Sequence, residues 1–116
     1  MKIIIAGGRD FEDYNQLCRI CDDILPQFDN VSIVSGTARG TDRLGERYAK
    51  EHGIKVDKFP ADWDKHGKSA GYIRNKRMAE YSDGLIAFHD HKSKGTKNMI
   101  SEAQRQELMI VVSYYD

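Results

Sequence analysis

Short apolar runs alternate with stretches of helical period along the whole chain, and this alternation restricts the possible folds more than any other feature. The apolar runs are rich in β-branched residues, as buried strands are, and cover residues 2–6, 31–35, 54–59, 85–89 and 109–113. Helices are expected over about residues 13–27, 41–52 and 72–81, with a last helix beginning at residues 95–96. Strands joined through helices pair in parallel, and right-handed crossovers bring helices to both faces of the sheet. The sequence therefore predicts an α/β fold with a five-stranded parallel sheet flanked by helices on both faces.

The size and charge of the chain limit its organisation and its partners. A chain of 116 residues without a Pro/Gly/Ser-rich linker has the size of one domain, and we expect a single domain over residues 1–116. Lysine plus arginine number 18, as do aspartate plus glutamate, so no overall charge favours nucleic acid or an anionic membrane. No apolar run approaches the roughly 18 residues of a membrane span, and the amino-terminal sequence turns polar too early for a signal peptide. We therefore expect a cytoplasmic protein.

Cys18 and Cys21 form a Cys-x-x-Cys pair, which near a βαβ pattern can indicate redox chemistry. They also lie on the apolar stripe of the first predicted helix, where small buried thiols are common. A redox pair normally lies at a helix start, where the helix dipole lowers the thiol pKa, and these cysteines lie mid-helix. We therefore assign both cysteines to the core.

Four segments that contain glycine lie where strands should end, at residues 7–11, 35–42, 70–75 and 94–97. In a parallel sheet these loops converge on one rim, where open α/β sheets bind ligands. In the second segment, Gly36 and Gly40 would leave room for a ligand, and the next helix would offer free N–H groups and a partial positive charge. This predicts an anion cradle, to which Arg39 adds a planar fork for phosphate or carboxylate. Alternatively, the glycines only form a turn and Arg39 is solvated.

The first two segments supply most of the candidate ligand contacts. The second segment contributes Ser35, Gly36, Ala38, Arg39, Gly40 and Asp42. Asp42 could satisfy loop amides or bind a sugar hydroxyl group. The first segment contributes Gly7, Gly8, Arg9, Asp10 and Phe11, because the first strand is normally central and its end adjoins the reversal of strand order. Alternatively, Arg9 and Asp10 form only a local pair.

Two polar residues, Arg74 and Asn75, lie on the inward stripe of the helix predicted over residues 72–81. A buried guanidinium group is unfavourable unless it is paired. A bound anion at the rim would pair with Arg74, and a structural partner such as Asp10 or Asp42 would serve as well.

Trp63, Gly95 and Thr96 complete the candidate ligand contacts. Trp63 is the only tryptophan of the chain and lies in a long polar loop over residues 61–69, where it could stack on a base or cover the core. The His-Asp-His run over residues 89–91 has only its own histidines as metal ligands and is typical of a solvated loop. No nucleophile elbow is present. We therefore expect neither a metal site nor a cofactor.

Four motifs resemble one known family in order and spacing. They are GGRDF, VSGTARGTDRLGERYA, FPADWDKHGKSAGYIRN and GTKNM, and together they cover nearly the whole chain. The chain resembles the small SLOG-family proteins of the domain of unknown function 2493, which are relatives of the YspA and YpsA proteins. That family is Rossmann-like and is related to the LOG phosphoribohydrolases and DNA-processing protein A, whose members bind nucleotides, nucleotide-derived signals or single-stranded DNA. The resemblance implies a nucleotide-type ligand at the rim.

The resemblance does not extend to the catalytic residue of the LOG enzymes. Their P-G-G-x-G-T-x-x-E loop carries a glutamate for N-glycosidic cleavage, and Gly95-Thr96 resembles this loop. The glutamate position is Met99, and Glu102 lies almost one turn further along. Our first hypothesis is therefore a module that binds a phosphorylated nucleoside, with homo-oligomers possible. An N-glycosidic enzyme using Glu102 or Asp10 is the alternative, and single-stranded nucleic-acid binding is the third hypothesis.

Overall fold

The computed structural model describes all 116 residues and contains five strands and five α-helices. The strands are β1 (Lys2–Gly7), β2 (Ser32–Ser35), β3 (Lys55–Lys58), β4 (Gly84–His89) and β5 (Met109–Tyr114). The helices are α1 (Tyr14–Ile24), α2 (Thr41–Glu51), the one-turn α3 (Trp63–His66), α4 (Ala70–Tyr81) and α5 (Lys94–Arg105). None of the helices combines the length and the apolar character that a membrane crossing requires.

The five strands form one parallel sheet in the order β3-β2-β1-β4-β5, as the alternation of strands and helices predicts. In the register of the sheet, Ile4 of β1 pairs with Val34 of β2 on one side and with Leu85 of β4 on the other. The chain moves outward from β1 to β3 and then returns to build β4 and β5 on the opposite side. The order therefore reverses between β1 and β4, and loops on the two sides diverge there to leave a crevice at the carboxyl ends of the strands.

Each face of the sheet carries its own hydrophobic core. On one face, Ile3 and Ile5 of β1 pack with side chains from α1 and α2. On the other face, Ile4 and Ala6 pack with side chains from α4 and α5. Because successive side chains of a strand point to opposite faces, a central strand between two helical layers must be apolar throughout. Full burial of each such isoleucine contributes about 1.5 to 3 kcal/mol, so β1 anchors both layers.

The segment over residues 61–69 differs from the predicted loop. It contains α3 and a short 3₁₀ helix, Gly67–Ser69, which lead directly into α4. The Asp62 side chain caps α3 by accepting a hydrogen bond from the Lys65 backbone N–H at 3.1 Å. A capping aspartate can begin a helical turn without an apolar stripe, which is why the periodicity of the sequence missed it.

The two cysteines lie in the core, as the helical stripe predicts. Cys21 is fully buried, Cys18 is partly buried, and neither forms a disulfide. Burial raises the pKa of the Cys21 thiol to about 12. A reactive thiol needs a lowered pKa, so the environment of Cys21 opposes redox chemistry.

Candidate functional site

A cavity of about 470 Å³ opens at the carboxyl ends of β1 and β4, where the strand order reverses. All four glycine-containing segments contribute to its walls. The predicted contacts that line this cavity are Gly7, Gly8, Arg9, Asp10, Ala38, Arg39, Asp42, Trp63, Arg74, Asn75, Gly95 and Thr96. The rim expected from a parallel topology therefore exists, and it brings together residues that lie up to 89 positions apart, from Gly7 to Thr96.

Four predicted contacts, Phe11, Ser35, Gly36 and Gly40, are not among the residues that line this cavity. Phe11 is only 2% exposed and stacks on Phe88 with ring centroids 4.9 Å apart, so it anchors the first loop to the core. Ser35 is buried, and its hydroxyl group donates to Glu46 Oε2 at 2.6 Å. These side chains are buried because the polypeptide turns over them, and they support the rim from below.

Gly36 and Gly40 allow the protein to pack against itself. Gly40 has a φ of 77°, and a Cβ atom there would lie 2.5 Å from the Arg9 carbonyl oxygen. A Cβ on Gly36 would lie 2.5 Å from Arg74 Nη1 and 2.8 Å from Asp42 Oδ2. From the sequence alone, these glycines are expected to leave space for a ligand. The space is instead occupied by the first loop and by the side chains of Arg74 and Asp42.

Arg74 projects from the second turn of α4 and is held by backbone carbonyl groups. Its Nη1 donates to the carbonyl oxygen of Gly36 and, at 3.4 Å, to that of Phe59. It forms no ion pair with Asp10 or Asp42, although Asp42 is close enough to oppose the lowering of the Arg74 pKa by burial. The Nη2 atom makes no hydrogen bond within the protein. Arg74 is thus fixed in place with one donor group left for a ligand.

Asn75 fixes the other side of Arg74. Its Oδ1 accepts a hydrogen bond from Arg74 Nε at 3.0 Å, and its Nδ2 donates to Asn98 Oδ1 at 2.9 Å. A longer contact of 3.4 Å joins Nδ2 to the Gly95 carbonyl oxygen. Asn75 therefore connects α4 to the start of α5, and its polar groups are used in positioning the cavity wall.

Asp42 places a buried carboxyl group in the wall of the cavity. The side chain, in the first turn of α2, accepts a hydrogen bond from the Ala38 N–H at 3.0 Å. Burial raises the pKa of Asp42 to about 6, while the Ala38 amide and Arg74 act in the opposite direction. Such a group changes its charge close to neutral pH and can hydrogen-bond a hydroxyl group in either state.

The loop after β1 is held by contacts that are distant in sequence. The Thr41 hydroxyl group donates to the Gly8 carbonyl oxygen at 2.9 Å. The Tyr115 hydroxyl group donates to Asp10 Oδ1 at 2.7 Å, so Asp10 pairs with a residue near the carboxyl terminus and not with Arg9. The alternative of a local pair between Arg9 and Asp10 is therefore wrong, and Arg9 makes no hydrogen bond or ion pair within the protein.

Two exposed aromatic side chains stand at the mouth of the cavity. Trp63 is 51% exposed and Tyr72 is 48% exposed, and both are lining residues. The Trp63 ring passes over Gly71, where a Cβ atom would be 3.6 Å from it. Trp63 therefore does not cover the core. Large aromatic side chains left this exposed beside a cavity are suited to stacking on a planar ligand group.

Sequence reasoning missed Lys68, Tyr72, Asp90 and Ser93, which also line the cavity. Tyr72 lies in the glycine-containing segment over residues 70–75, and its position next to Gly71 could have identified it as a cavity residue. Asp90 and Ser93 follow the carboxyl end of β4, the place where such sheets bind ligands. Lys68 lies in the 3₁₀ helix Gly67–Ser69, where the sequence predicts only a loop, so its place at the cavity could not be inferred.

The floor of the cavity is apolar at the position where LOG enzymes carry a glutamate. Met99 and Met78 line it. Glu102 is buried beside Arg105, with which it forms an ion pair, and it does not line the cavity. The carboxyl groups that do line it belong to Asp10, Asp42 and Asp90.

The His-Asp-His run after β4 is only partly a solvated loop. His89 is the last residue of β4 and is buried, which corrects the expectation for this residue. The reason is that β4 is central and extends to His89, which pairs with Tyr114 of β5. His91 is exposed and stacks on Tyr114 with ring centroids 4.2 Å apart. No group of three or more His, Cys, Asp or Glu side chains is placed to hold a metal ion.

The sheet order and the cavity at its reversal define a Rossmann-like α/β protein with an open cavity at the carboxyl rim. The profile of the YAcAr family, described as the YspA, cpYpsA-related SLOG family, matches residues 1–66, and the chain belongs to this family. It is 30% identical to the Gene 61 protein of Mycobacterium phage D29 over 117 aligned residues, which cover 95% of this chain and 94% of the phage protein. No solved structure matches the chain significantly.

Proposed function

We propose that this protein is a cytoplasmic module that binds a phosphorylated nucleoside or a related nucleotide-derived ligand at the rim of its sheet. The observation that supports this most is the lining of one cavity, which combines cationic side chains, exposed aromatic rings and carboxyl groups, of which that of Asp42 is buried. Phosphate, base and sugar each need one of these three kinds of group. Membership of a SLOG family supports the same class of ligand.

The cationic groups suit a phosphate. Arg39 makes no hydrogen bond or ion pair within the protein, and Arg74 keeps its Nη2 donors available. The first-turn amides of Asp42 and Arg43 in α2 also have no acceptor within the protein. A helix start with free amides next to guanidinium groups is a favourable place for an anion.

The aromatic and carboxyl groups suit a nucleoside. Stacking of a base on an aromatic side chain such as Trp63 contributes about 1 to 3 kcal/mol. Asp42 and Asp10 can accept hydrogen bonds from ribose hydroxyl groups, and the protonated form of Asp42 can also donate one. Asp10 is already oriented by Tyr115.

The experiment is to identify small molecules that remain bound through purification and are released by denaturation. Mass spectrometry of the released fraction should show a nucleotide-type compound that is enriched in the native protein. A Trp63→Ala/Arg39→Gln variant, prepared in parallel, should carry much less of it. Recovery of no nucleotide-type compound, or equal recovery from the folded variant, would contradict the assignment of ligand and site.

A second candidate function is N-glycosidic cleavage of a nucleoside monophosphate. The observation that favours it is the Asp42 carboxyl group, whose pKa of about 6 suits a general acid or base at neutral pH. Asp10 can take part in this chemistry because it lines the cavity, whereas Glu102 does not reach it. Release of free base and ribose phosphate by the wild-type protein, with loss of this release in Asp42→Asn, would establish the enzyme. Tight binding of the monophosphate without release would instead support the binding module.

Binding of single-stranded nucleic acid is the weakest of the three functions, because the chain has no net charge. Phosphate contacts along a strand give an affinity that falls steeply with salt. Titration of an oligonucleotide at two salt concentrations would reveal such a slope.

A further inference from the structure

A second open cavity, which we call the arginine groove, adjoins the ligand cavity. It has a volume of about 580 Å³. Five residues line both cavities, namely Arg9, Ala38, Arg39, Trp63 and Arg74. The groove then continues past Arg74 along the loops that follow β2 and β3, where its walls are Gly36, Thr37, Pro60 and Ala61. A ligand that fills the first cavity can therefore extend into the groove without leaving the protein surface.

The two cavities differ in charge. The first is lined by four cationic side chains together with the three carboxyl groups of Asp10, Asp42 and Asp90. The groove is lined by three of the same cationic side chains, those of Arg9, Arg39 and Arg74, and by no acidic residue. Hydroxyl-bearing and weakly charged groups fit the first cavity, and the groove fits a group of high negative charge.

The arginines of the groove have donors to spare. The guanidinium groups of Arg9 and Arg39 make no hydrogen bond or ion pair within the protein, and Arg74 has only Nε and Nη1 engaged. Arg9 lies near enough to Arg74 to add to the lowering of its pKa, which burial mainly causes. Like charges gathered in this way repel each other, and an anion between them would relieve the repulsion.

The backbone of the groove is also unusual. Thr37 has a φ of 63°, in the left-handed region that β-branched residues rarely adopt. Its N–H is held by the Ser35 hydroxyl oxygen at 3.1 Å. Backbone strain of this kind occurs frequently at ligand sites, where the surrounding structure maintains it.

We propose that the arginine groove binds a second phosphate group, so that the ligand carries an oligophosphate chain. The nucleoside lies in the first cavity, and the two phosphates share Arg9, Arg39 and Arg74, the first phosphate on the side of the first cavity and the second on the side of the groove. The nucleoside part of this inference rests on the proposed function, and the anion site itself does not.

The test compares adenosine and guanosine monophosphates with their diphosphates and with inorganic pyrophosphate, by calorimetric titration. In the wild-type protein the diphosphate of the preferred nucleoside should bind about tenfold more tightly than the monophosphate, or better, because charge-assisted hydrogen bonds are added. Ala61→Glu places a carboxylate in the groove and should bring the ratio of the two dissociation constants close to one. Gln104→Glu makes the same charge change on an exposed position of α5 outside both cavities, and should keep the wild-type ratio.

The possible results separate the two proposals. If monophosphates bind and a second phosphate adds nothing, or if Ala61→Glu retains the ratio, the groove is not a phosphate site and the nucleotide assignment stands. If pyrophosphate binds, Ala61→Glu abolishes that binding and nucleosides contribute nothing, the groove is an anion site and the proposed function fails. If neither pyrophosphate nor any diphosphate binds, the groove proposal is wrong. Thermal unfolding of each variant verifies that it is folded.

Discussion

Replacement of Asp42 by asparagine should remove a large part of the pH dependence of stability. Burial raises the pKa of Asp42 from 3.8 to about 6. The folded protein therefore holds this proton more tightly than the unfolded chain does. The resulting stabilisation is present in full below the unfolded pKa and is lost as the pH rises through about 6.

The size of the effect follows from the difference between the two pKa values. A shift of about 2 units corresponds to roughly 3 kcal/mol between the fully protonated and fully ionised limits. Between about pH 4.5 and about pH 8, the linkage relation predicts that the contribution of Asp42 to the free energy of unfolding falls by about 2 kcal/mol. Asparagine retains an acceptor for the Ala38 N–H and has no proton to lose. It also loses the attraction to Arg74, so the pH dependence is more informative than the absolute stability.

Urea unfolding of the wild-type protein and Asp42→Asn at both pH values measures this contribution. The free energy of unfolding of the wild-type protein, relative to the variant, should fall by about 2 kcal/mol from the acidic to the alkaline condition. Asp23→Asn, an exposed position on α1, serves as the matched control and should run parallel to the wild type. If Asp42→Asn also runs parallel to the wild type, the carboxyl group is not held in a desolvated environment and the reasoning is refuted.

Three further substitutions test other parts of the site. Tyr115→Phe removes the hydroxyl group that donates to Asp10 of the first loop, and should weaken nucleotide binding and lower stability by about 1 kcal/mol. Tyr14→Phe removes a comparable hydrogen bond, to Glu51, that is remote from the cavity, and should lower stability alone. Trp63→Ala should weaken nucleoside binding by about 1 to 3 kcal/mol, as measured by calorimetry. The melting temperature should stay unchanged because the side chain is half exposed, and a large drop would show that Trp63 supports the fold. Gly40→Val should reduce the free energy of unfolding by more than about 1 kcal/mol in urea titration, because the position has a positive φ, and a stable variant would contradict the assigned backbone.

The fold and the location of the rim cavity could be predicted from local sequence features. Five β-branched runs separated by helical stretches leave few topologies, and parallel strands bring their carboxyl ends to one rim. The inward position of Arg74 and Asn75 on α4 indicated that polar groups face the rim. Both inferences depend on periodicity, which is a property of neighbouring residues.

The remaining details of the site depend on contacts between distant residues. The hydrogen bond of Tyr115 to Asp10 joins residues 105 positions apart, and no local pattern indicates it. Gly36 is small because Arg74 and Asp42 approach it, which only the folded structure reveals. Phe11 belongs to a candidate loop and yet packs on Phe88, since a loop that closes over a core needs an apolar anchor.

Calorimetric titration of the wild-type protein with a nucleoside monophosphate and with the corresponding nucleoside, for each of the common bases, tests the central claim most directly. At least one monophosphate should bind with a defined stoichiometry of one per chain, and about tenfold or more tightly than its nucleoside, because only the phosphate engages Arg39 and Arg74. Equal affinities for the two compounds, or no binding by any member of the series, would contradict the assignment of the rim as a site for phosphorylated nucleosides.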